Sequence, residues 1–297
     1  MAHIRIGISG WRYAGWRGVF YPAKLGQAHE LEFASREVQS IEINGSYYSL
    51  QSPKSYAHWY DATPKGFVFS LKGPRFLTHV LRFRGERANV ALANFFASGL
   101  FNLREKLGPI LWQFPPNFKF DSASFEAILQ SLPANTDEAA ELAARHDKHV
   151  KEVCLSAGRK RRLRHAIEIR NPSFCEEAFI KLLRKYRVAL VVSDSVEDWP
   201  YAEDMTSDFA YLRLHGTKTR YGGKYSDAAL NQWAKRIGKW AKGNEPDDVH
   251  RISSKPARQR AGRDVYCYFD NDDKVQAPSD ARRLIQCIYK TGGLTLM

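Results

Sequence analysis

The chain has no C-x-x-C pair. Cys154, Cys175, Cys267 and Cys287 stand far apart, which excludes a zinc knot or a dithiol redox motif and points to reduced, unpaired thiols. No run of about 18 apolar residues occurs, so no transmembrane helix is expected. The opening Met1-Ala2-His3-Ile4-Arg5-Ile6 carries no charged stretch followed by a long apolar one, so no secretory signal is read there and a cytoplasmic location is expected. Neither a Walker loop nor a G-x-S-x-G elbow occurs, and Gly7, Gly10 and Gly15 lack the spacing of a dinucleotide fingerprint. Acidic residues are the last shortage: 32 Asp+Glu face 45 Lys+Arg, a net +13 over 297 residues. Such an excess favours polyanionic partners but says nothing about fold.

What is present is alternation. β-branched and aromatic runs at Ile4–Ser9, Ser40–Asn44, Phe67–Lys72, Pro109–Phe114, His165–Arg170, Val188–Asp194, Phe209–His215 and Asp264–Asp270 read as strands. Helical patterns separate most of them: Ala28–Glu37, Pro53–Ala62, Ala88–Leu107, Ser122–Leu132, Glu176–Tyr186, Asp227–Trp240 and Ser279–Tyr289. Strands alternating with helices in this number predict an α/β fold, a TIM-type (β/α)8 barrel, as one domain spanning 1–297. A regular sixth helix is missing, because Ser195–Ser207 holds Pro200 and four acidic residues. A doubly wound open sheet is the alternative. Two stretches fit no barrel element and read as insertions, at about 134–163 and 242–263, the first partly helical and the second a mobile loop.

Side chains alternate along a strand, and in a barrel the outward set should be apolar under the helices. In the first strand Ile4, Ile6 and Ile8 alternate with Arg5, Gly7 and Ser9; the second, third, fifth and seventh strands keep the same phase. The inward set at the carboxyl ends is then Ser9, Glu42, Asn44, Lys72, Gln113, Glu168, Arg170, Asp194, Arg213 and His215, with Gln113 and Asp194 the less regular members. Buried charge needs a partner. So many ionisable groups in one phase point to a site, or else to an ion-pair network closing the mouth. Neighbouring carboxylates suit acid/base work, which nominates Glu42, Glu168 and Asp194, with His215 as a proton carrier near neutral pH. Lys72, Arg170 and Arg213 suit an anion clamp. Ser9, Asn44 and Gln113 would contact substrate, as would Trp11 among the aromatics that follow the strands.

Some chemistries lose support. The fourth and seventh strand ends carry Gln113 and Arg213, where many barrel glycosidases carry their carboxylate pair. Only His215 stands at a strand end, with His79 in the third loop, so a multinuclear metal site is not indicated and no metal or cofactor is assigned.

The motifs themselves are long and ordered. Gly7-Ile8-Ser9-Gly10-Trp11-Arg12-Tyr13-Ala14-Gly15-Trp16, Ile41-Glu42-Ile43-Asn44, Lys72-Gly73-Pro74-Arg75-Phe76-Leu77-Thr78-His79 and Gln113-Phe114-Pro115-Pro116 resemble the YecE-like family, domain of unknown function 72. So do Glu168-Ile169-Arg170-Asn171-Pro172-Ser173-Phe174, Ser193-Asp194-Ser195, Tyr211-Leu212-Arg213-Leu214-His215-Gly216 and Tyr266–Asp272. The resemblance covers nearly the whole chain except the two insertions. It implies a TIM-type barrel and no assigned activity. Asn171 stands where members often carry His.

Residues 145–164 hold eight Lys/Arg against two Asp/Glu, a net of 8 − 2 = +6, and residues 242–263 hold six against three, a net of 6 − 3 = +3. The insertions therefore supply 6 + 3 = +9 of the +13. Two functions compete: an enzyme, of the phosphoester-hydrolase class, acting at the mouth on an anionic small molecule or a nucleic-acid-derived substrate; and a non-catalytic nucleic-acid-binding protein that uses the basic insertions. A third option has the insertions dock a protein partner. Oligomeric state is not legible.

Overall fold

The computed structural model describes residues 2–196, 199–217, 221–271, 275–290 and 295–296. Eight strands run parallel: β1 (His3–Ser9), β2 (Ser40–Ile43), β3 (Val68–Lys72), β4 (Leu107–Gln113), β5 (His165–Glu168), β6 (Ala189–Asp194), β7 (Phe209–Leu214) and β8 (Asp264–Phe269). Each pairs with the next, and β1 pairs with both β8 and β2, which closes the barrel. A short β9 (Thr295–Leu296) pairs with the start of β1. The open-sheet alternative is thereby excluded.

Helices follow the strands: α1 (Glu30–Glu37), the single turn α2 (Gly45–Tyr48), α3 (Pro53–Asp61), α4 (Glu86–Ala97), α5 (Ser122–Ser131), α6 (Thr136–Ala143), α7 (Glu177–Tyr186), α8 (Asp227–Ala241) and α9 (Gln276–Lys290). Local chemistry sets their ends. Ser52 caps α3 ahead of Pro53, and the Asp121 carboxylate accepts from Ser124 N at 2.9 Å to start α5. The helix expected over Ala88–Leu107 breaks after Ala97. Gly99 takes φ +114, and a Cβ there would meet Pro53 Cα at 2.4 Å, so the chain turns and continues as tight turns over Leu100–Lys106. Between β6 and β7 no helix forms among the described residues, as expected.

The main core lies between strands and helices. Phe114, Phe125, Phe174 and Phe179 meet there with Phe120 under α5 and α7, with neighbouring ring centroids 5.0–5.9 Å apart. Full burial of each such ring contributes about 1.5–3 kcal/mol. Phe174, in the loop after β5, is thus core. The barrel interior is a second, smaller cluster containing Val68, Leu111, Ala166, Ala189, Val191, Phe209, Tyr211, Tyr266 and Tyr268. Tyr211 and Tyr268 cross it with ring centroids 5.2 Å apart, their hydroxyls on Ser70 and Ser40 at 2.7 Å. Gly7 belongs to this inward phase because a Cβ would lie 2.0 Å from Ser40 O and 3.2 Å from the Tyr268 ring.

The first of the two stretches read as insertions holds α6. The second forms neither helix nor strand, but it is pinned rather than loose. Glu203 accepts from His250 N at 3.1 Å, and Asp204 accepts from Ile252 N at 2.7 Å and Ser253 N at 3.1 Å. Both carboxylates are fully buried, so the acidic stretch that replaces a sixth helix anchors this insertion. Both insertions precede strands, β5 and β8, and therefore lie at the amino-terminal end of the barrel.

Candidate active site

The inward phase delivers a polar layer above the tyrosines. Arg213 on β7 sits at its centre, fully buried. Its Nε and Nη2 donate to Glu42 at 3.1 and 2.9 Å, Nη1 to Glu168 at 2.9 Å, and Nη2 also to Asp270 at 2.7 Å and Ser9 Oγ at 3.2 Å. Glu42 also accepts from Tyr211 Oη at 2.6 Å and Ser9 Oγ at 2.5 Å. Glu168 also accepts from Gln113 Nε2 at 2.9 Å and Arg170 Nη2 at 3.1 Å. Burial, the largest influence, would raise the carboxyls of Glu168 and Asp270, but Arg213 together with His215, and with Arg170 beside Glu168 and Lys72 beside Asp270, holds both below the usual carboxylate range. Glu42, Glu168 and Asp270 thus balance Arg213, Arg170 and Lys72, a formal sum of 3 − 3 = 0.

Arg213 and Glu42 are saturated by this network, so neither offers a free face to a substrate. Lys72 and Arg170 are different. Lys72 reaches the face of Tyr47, its Nζ 4.3 Å from the ring centroid. Burial, then the charge of Arg213, pushes its ammonium down to about 8. The outer face of Arg170 stacks on Trp199 at 3.7 Å from the ring centroid. His79 lies 3.1 Å from Tyr47 Oη, and burial followed by repulsion from Arg75 and Arg170 pushes it down to about 4. His79 is therefore a neutral imidazole beside three cations.

His215 is fully buried among charged and aromatic neighbours. Its Nδ1 lies 3.0 Å from Asp270 Oδ2 and its Nε2 3.6 Å from Glu168 Oε1. Trp199 and Tyr221 flank the ring at 5.5 and 5.7 Å between centroids. Neither ring nitrogen makes an aligned hydrogen bond among the described residues, nor does Ser193 Oγ or Asn44 Oδ1, although all four atoms are buried.

Nine of the eleven nominated residues therefore converge: Ser9, Glu42, Asn44, Lys72, Gln113, Glu168, Arg170, Arg213 and His215. Two do not. Asp194 faces outward, because β6 places Ala189, Val191 and hence Ser193 in the interior phase. Its carboxylate accepts from Tyr225 Oη at 2.8 Å, beside Phe269 on the helix side, and burial raises it. Trp11 also leaves the mouth; its indole packs on Trp59 at 5.3 Å and on the outward Phe69 at 6.5 Å. Sequence reasoning missed Asp270, Ser193, Tyr47, His79 and Trp199. Asp270 and Ser193 were recoverable, since strict alternation along β8 and β6 selects them; the other three lie on loops, where no periodicity operates. Asn171 caps the short turn after β5, its Oδ1 accepting from Ser173 N at 3.0 Å. Asp272, the last residue of the Tyr266–Asp272 motif, lies outside the described residues.

Among the described residues no group of three His, Cys, Asp or Glu side chains is arranged to hold a metal ion, and no helix is long and apolar enough to cross a membrane. The molecule is thus a TIM-type barrel whose carboxyl-end mouth carries a buried, charge-balanced polar cluster. The chain belongs to the family described as "Protein of unknown function DUF72", whose profile matches residues 5–292. Over 120 residues it is 29% identical to the UPF0759 protein YunF of Bacillus subtilis (strain 168), a stretch covering 39% of this chain and 41% of that protein. Its fold is similar to that of the DUF72 family protein TM1631 of Thermotoga maritima MSB8, with TM-score 0.74, 24% identity, and 97% and 99% of the two chains covered. A DUF72 family protein of Enterococcus faecalis V583, EF0366, aligns with TM-score 0.67 and 16% identity over 96% and 95% of the chains.

Proposed function

We propose that the protein is an enzyme whose barrel mouth binds a phosphorylated or nucleic-acid-derived anion and transfers a proton through His215, with phosphoester hydrolysis as the reaction. The observation that carries this reading is the set of four buried polar atoms without aligned partners: both nitrogens of His215, Ser193 Oγ and Asn44 Oδ1. Burying such an atom unpaired costs about 1–3 kcal/mol, and native folds keep few of them. Lys72 and Arg170, on the open side of the network, form the anion clamp. Glu168 and Asp270 bracket the imidazole, 3.6 Å from Nε2 and 3.0 Å from Nδ1. Arg213 with Glu42 holds these groups in register and does not touch substrate.

A panel of aryl phosphomonoesters, aryl phosphodiesters and short oligonucleotides tests the reading. His215→Asn should remove turnover while the thermal midpoint stays near that of the parent, and Lys72→Met should raise KM more than it lowers kcat. Binding should weaken as pH rises through about 8, where Lys72 loses its charge. Turnover by His215→Asn at the parent rate would sink the assignment.

A second reading, nucleic-acid binding without chemistry, draws on one surface. Arg104, Arg159, Lys160 and Arg161 line an open groove of about 790 Å³ at the amino-terminal end. Binding there should fall steeply with salt, by a log–log slope of about 0.9 per phosphate contact.

A further inference from the structure

Six arginines surround one cavity at the end of the barrel opposite the mouth. The cavity measures about 330 Å³ and is lined by Arg162, Arg184, Arg187, Arg258, Arg260 and Arg263, with Asp208. Its place follows from the topology. Arg162 precedes β5, Arg187 precedes β6, Asp208 precedes β7 and Arg263 precedes β8, so four strand starts ring it. Both insertions contribute: the first supplies Arg162, and the second supplies Arg258, Arg260 and Arg263.

Counter-charge is scarce there. Asp208 is already held by Arg162 at 2.8 Å and lies 3.6 Å from Arg164. Asp204, 3.9 Å from Arg184, is occupied by two backbone N–H groups. Among the described residues no carboxylate pairs with Arg187, Arg258, Arg260 or Arg263. Arg263 is the most telling of them, being only 1% exposed. Its two Nη atoms donate to Gly243 O and Arg258 O, each at 2.6 Å, and its Nε has no partner. Arg184 Nε is likewise buried and unpartnered. Concentrating guanidinium groups without carboxylates opposes folding unless an anion joins them.

We propose that this cavity binds a compact, multiply charged phosphate anion of the size of inorganic pyrophosphate or tripolyphosphate, at a site separate from the barrel mouth. Guanidinium forks match phosphate oxygens two at a time, and several forks around one small cavity call for several charges on one small ligand. The volume is at the lower end of the range for small-molecule sites. A nucleic-acid strand would meet the exposed Arg187, Arg258 and Arg260 but not the buried Arg263. The site needs no chemistry at the mouth, so it stands whether or not the enzyme reading does.

The test is calorimetric titration of the full chain with inorganic tripolyphosphate at about 0.15 M salt, where surface attraction is screened. One equivalent should bind at this cavity, in the parent and in Lys72→Met alike. The double variant Arg187→Gln, Arg260→Gln should weaken binding by about tenfold or more, since each fork makes charge-assisted hydrogen bonds. Lys24→Gln with Lys119→Gln removes the same charge from exposed positions elsewhere and should leave the affinity unchanged, as should Lys72→Met at the mouth. No saturable binding, equal losses in the two double variants, loss in Lys72→Met, or binding of a single-stranded oligonucleotide but not of tripolyphosphate would each overturn the proposal.

Discussion

Replacing Arg213 with Met should give the barrel mouth a contribution to stability that rises as pH falls from about 7.5 to about 5.5, where in the parent that contribution is flat. In the parent, Glu168 and Asp270 are held below the ordinary carboxylate range, because Arg213 and the Arg170, Lys72 and His215 around it together outweigh their burial. A depressed carboxyl contributes stability that is complete above its unfolded value, near 4, and is lost as pH falls below that. The parent should therefore be flat between about pH 7.5 and 5.5 so far as these groups are concerned. Met removes all five hydrogen bonds of the guanidinium and leaves Glu42, Glu168 and Asp270 buried around an apolar side chain. Breaking a buried pair in this way costs about 3–5 kcal/mol, a large share of the roughly 5–15 kcal/mol that holds a domain together. Burial, the largest influence on both carboxyls, is then opposed only by Arg170, Lys72 and His215 and raises them, so the variant takes up protons on folding. Its stability should rise as pH falls from about 7.5 to about 5.5, recovering part of the loss. Urea unfolding followed by tryptophan fluorescence at the two pH values measures this directly. A variant as stable as the parent at the higher pH, or one without recovery at the lower, would refute the account of the mouth as a cation-centred network.

Three further outcomes follow from other parts of the barrel. His165 is pinned as a neutral tautomer, Nε2 donating to Pro133 O at 2.8 Å and Nδ1 accepting from Trp112 Nε1 at 3.1 Å. Burial pushes it down to about 4, so the fold should lose up to about 3 kcal/mol as pH falls from about 6.5 to about 4, and His165→Phe should abolish that slope; an unchanged slope would contradict the assignment. Glu203→Ala removes the acceptor for His250 N and the partner of Arg236, so trypsin should cut after Arg251, Arg258 or Arg260 faster than in the parent; equal cleavage rates would show that the anchor lies elsewhere. Gly73→Ala places a Cβ about 2.3 Å from the Trp112 ring, and overpacking of this kind should cost about 1–3 kcal/mol, read as a lower thermal midpoint.

The fold was legible because it rests on local periodicity. All eight barrel strands sit where alternation places them, within two residues at each end, and the absence of a helix among the described residues between β6 and β7 follows from Pro200 and the acidic run around it. Most of the mouth was legible for the same reason. A phase shared by several strands sends Ser9, Glu42, Lys72, Glu168 and Arg213 to the same end of the interior, whatever the loops do. The phase misled at Asp194, where an outward acid is satisfied by Tyr225, a residue 31 positions further along the chain. It also said nothing of Trp11, whose placement depends on the packing of Trp59.

The amino-acid sequence by itself determined the barrel, the residues of one polarity phase at its mouth and the concentration of positive charge in two insertions, because each is a property of spacing or composition. Only the tertiary structure decided which charges neutralise one another. Arg213 spends its donors on three carboxylates contributed by β2, β5 and the end of β8, while Lys72 lies over the Tyr47 ring and Arg187, Arg258 and Arg260 at the far end pair with no carboxylate among the described residues. Pairing depends on distances of about 3 Å between residues far apart in the chain, and no local pattern encodes such distances.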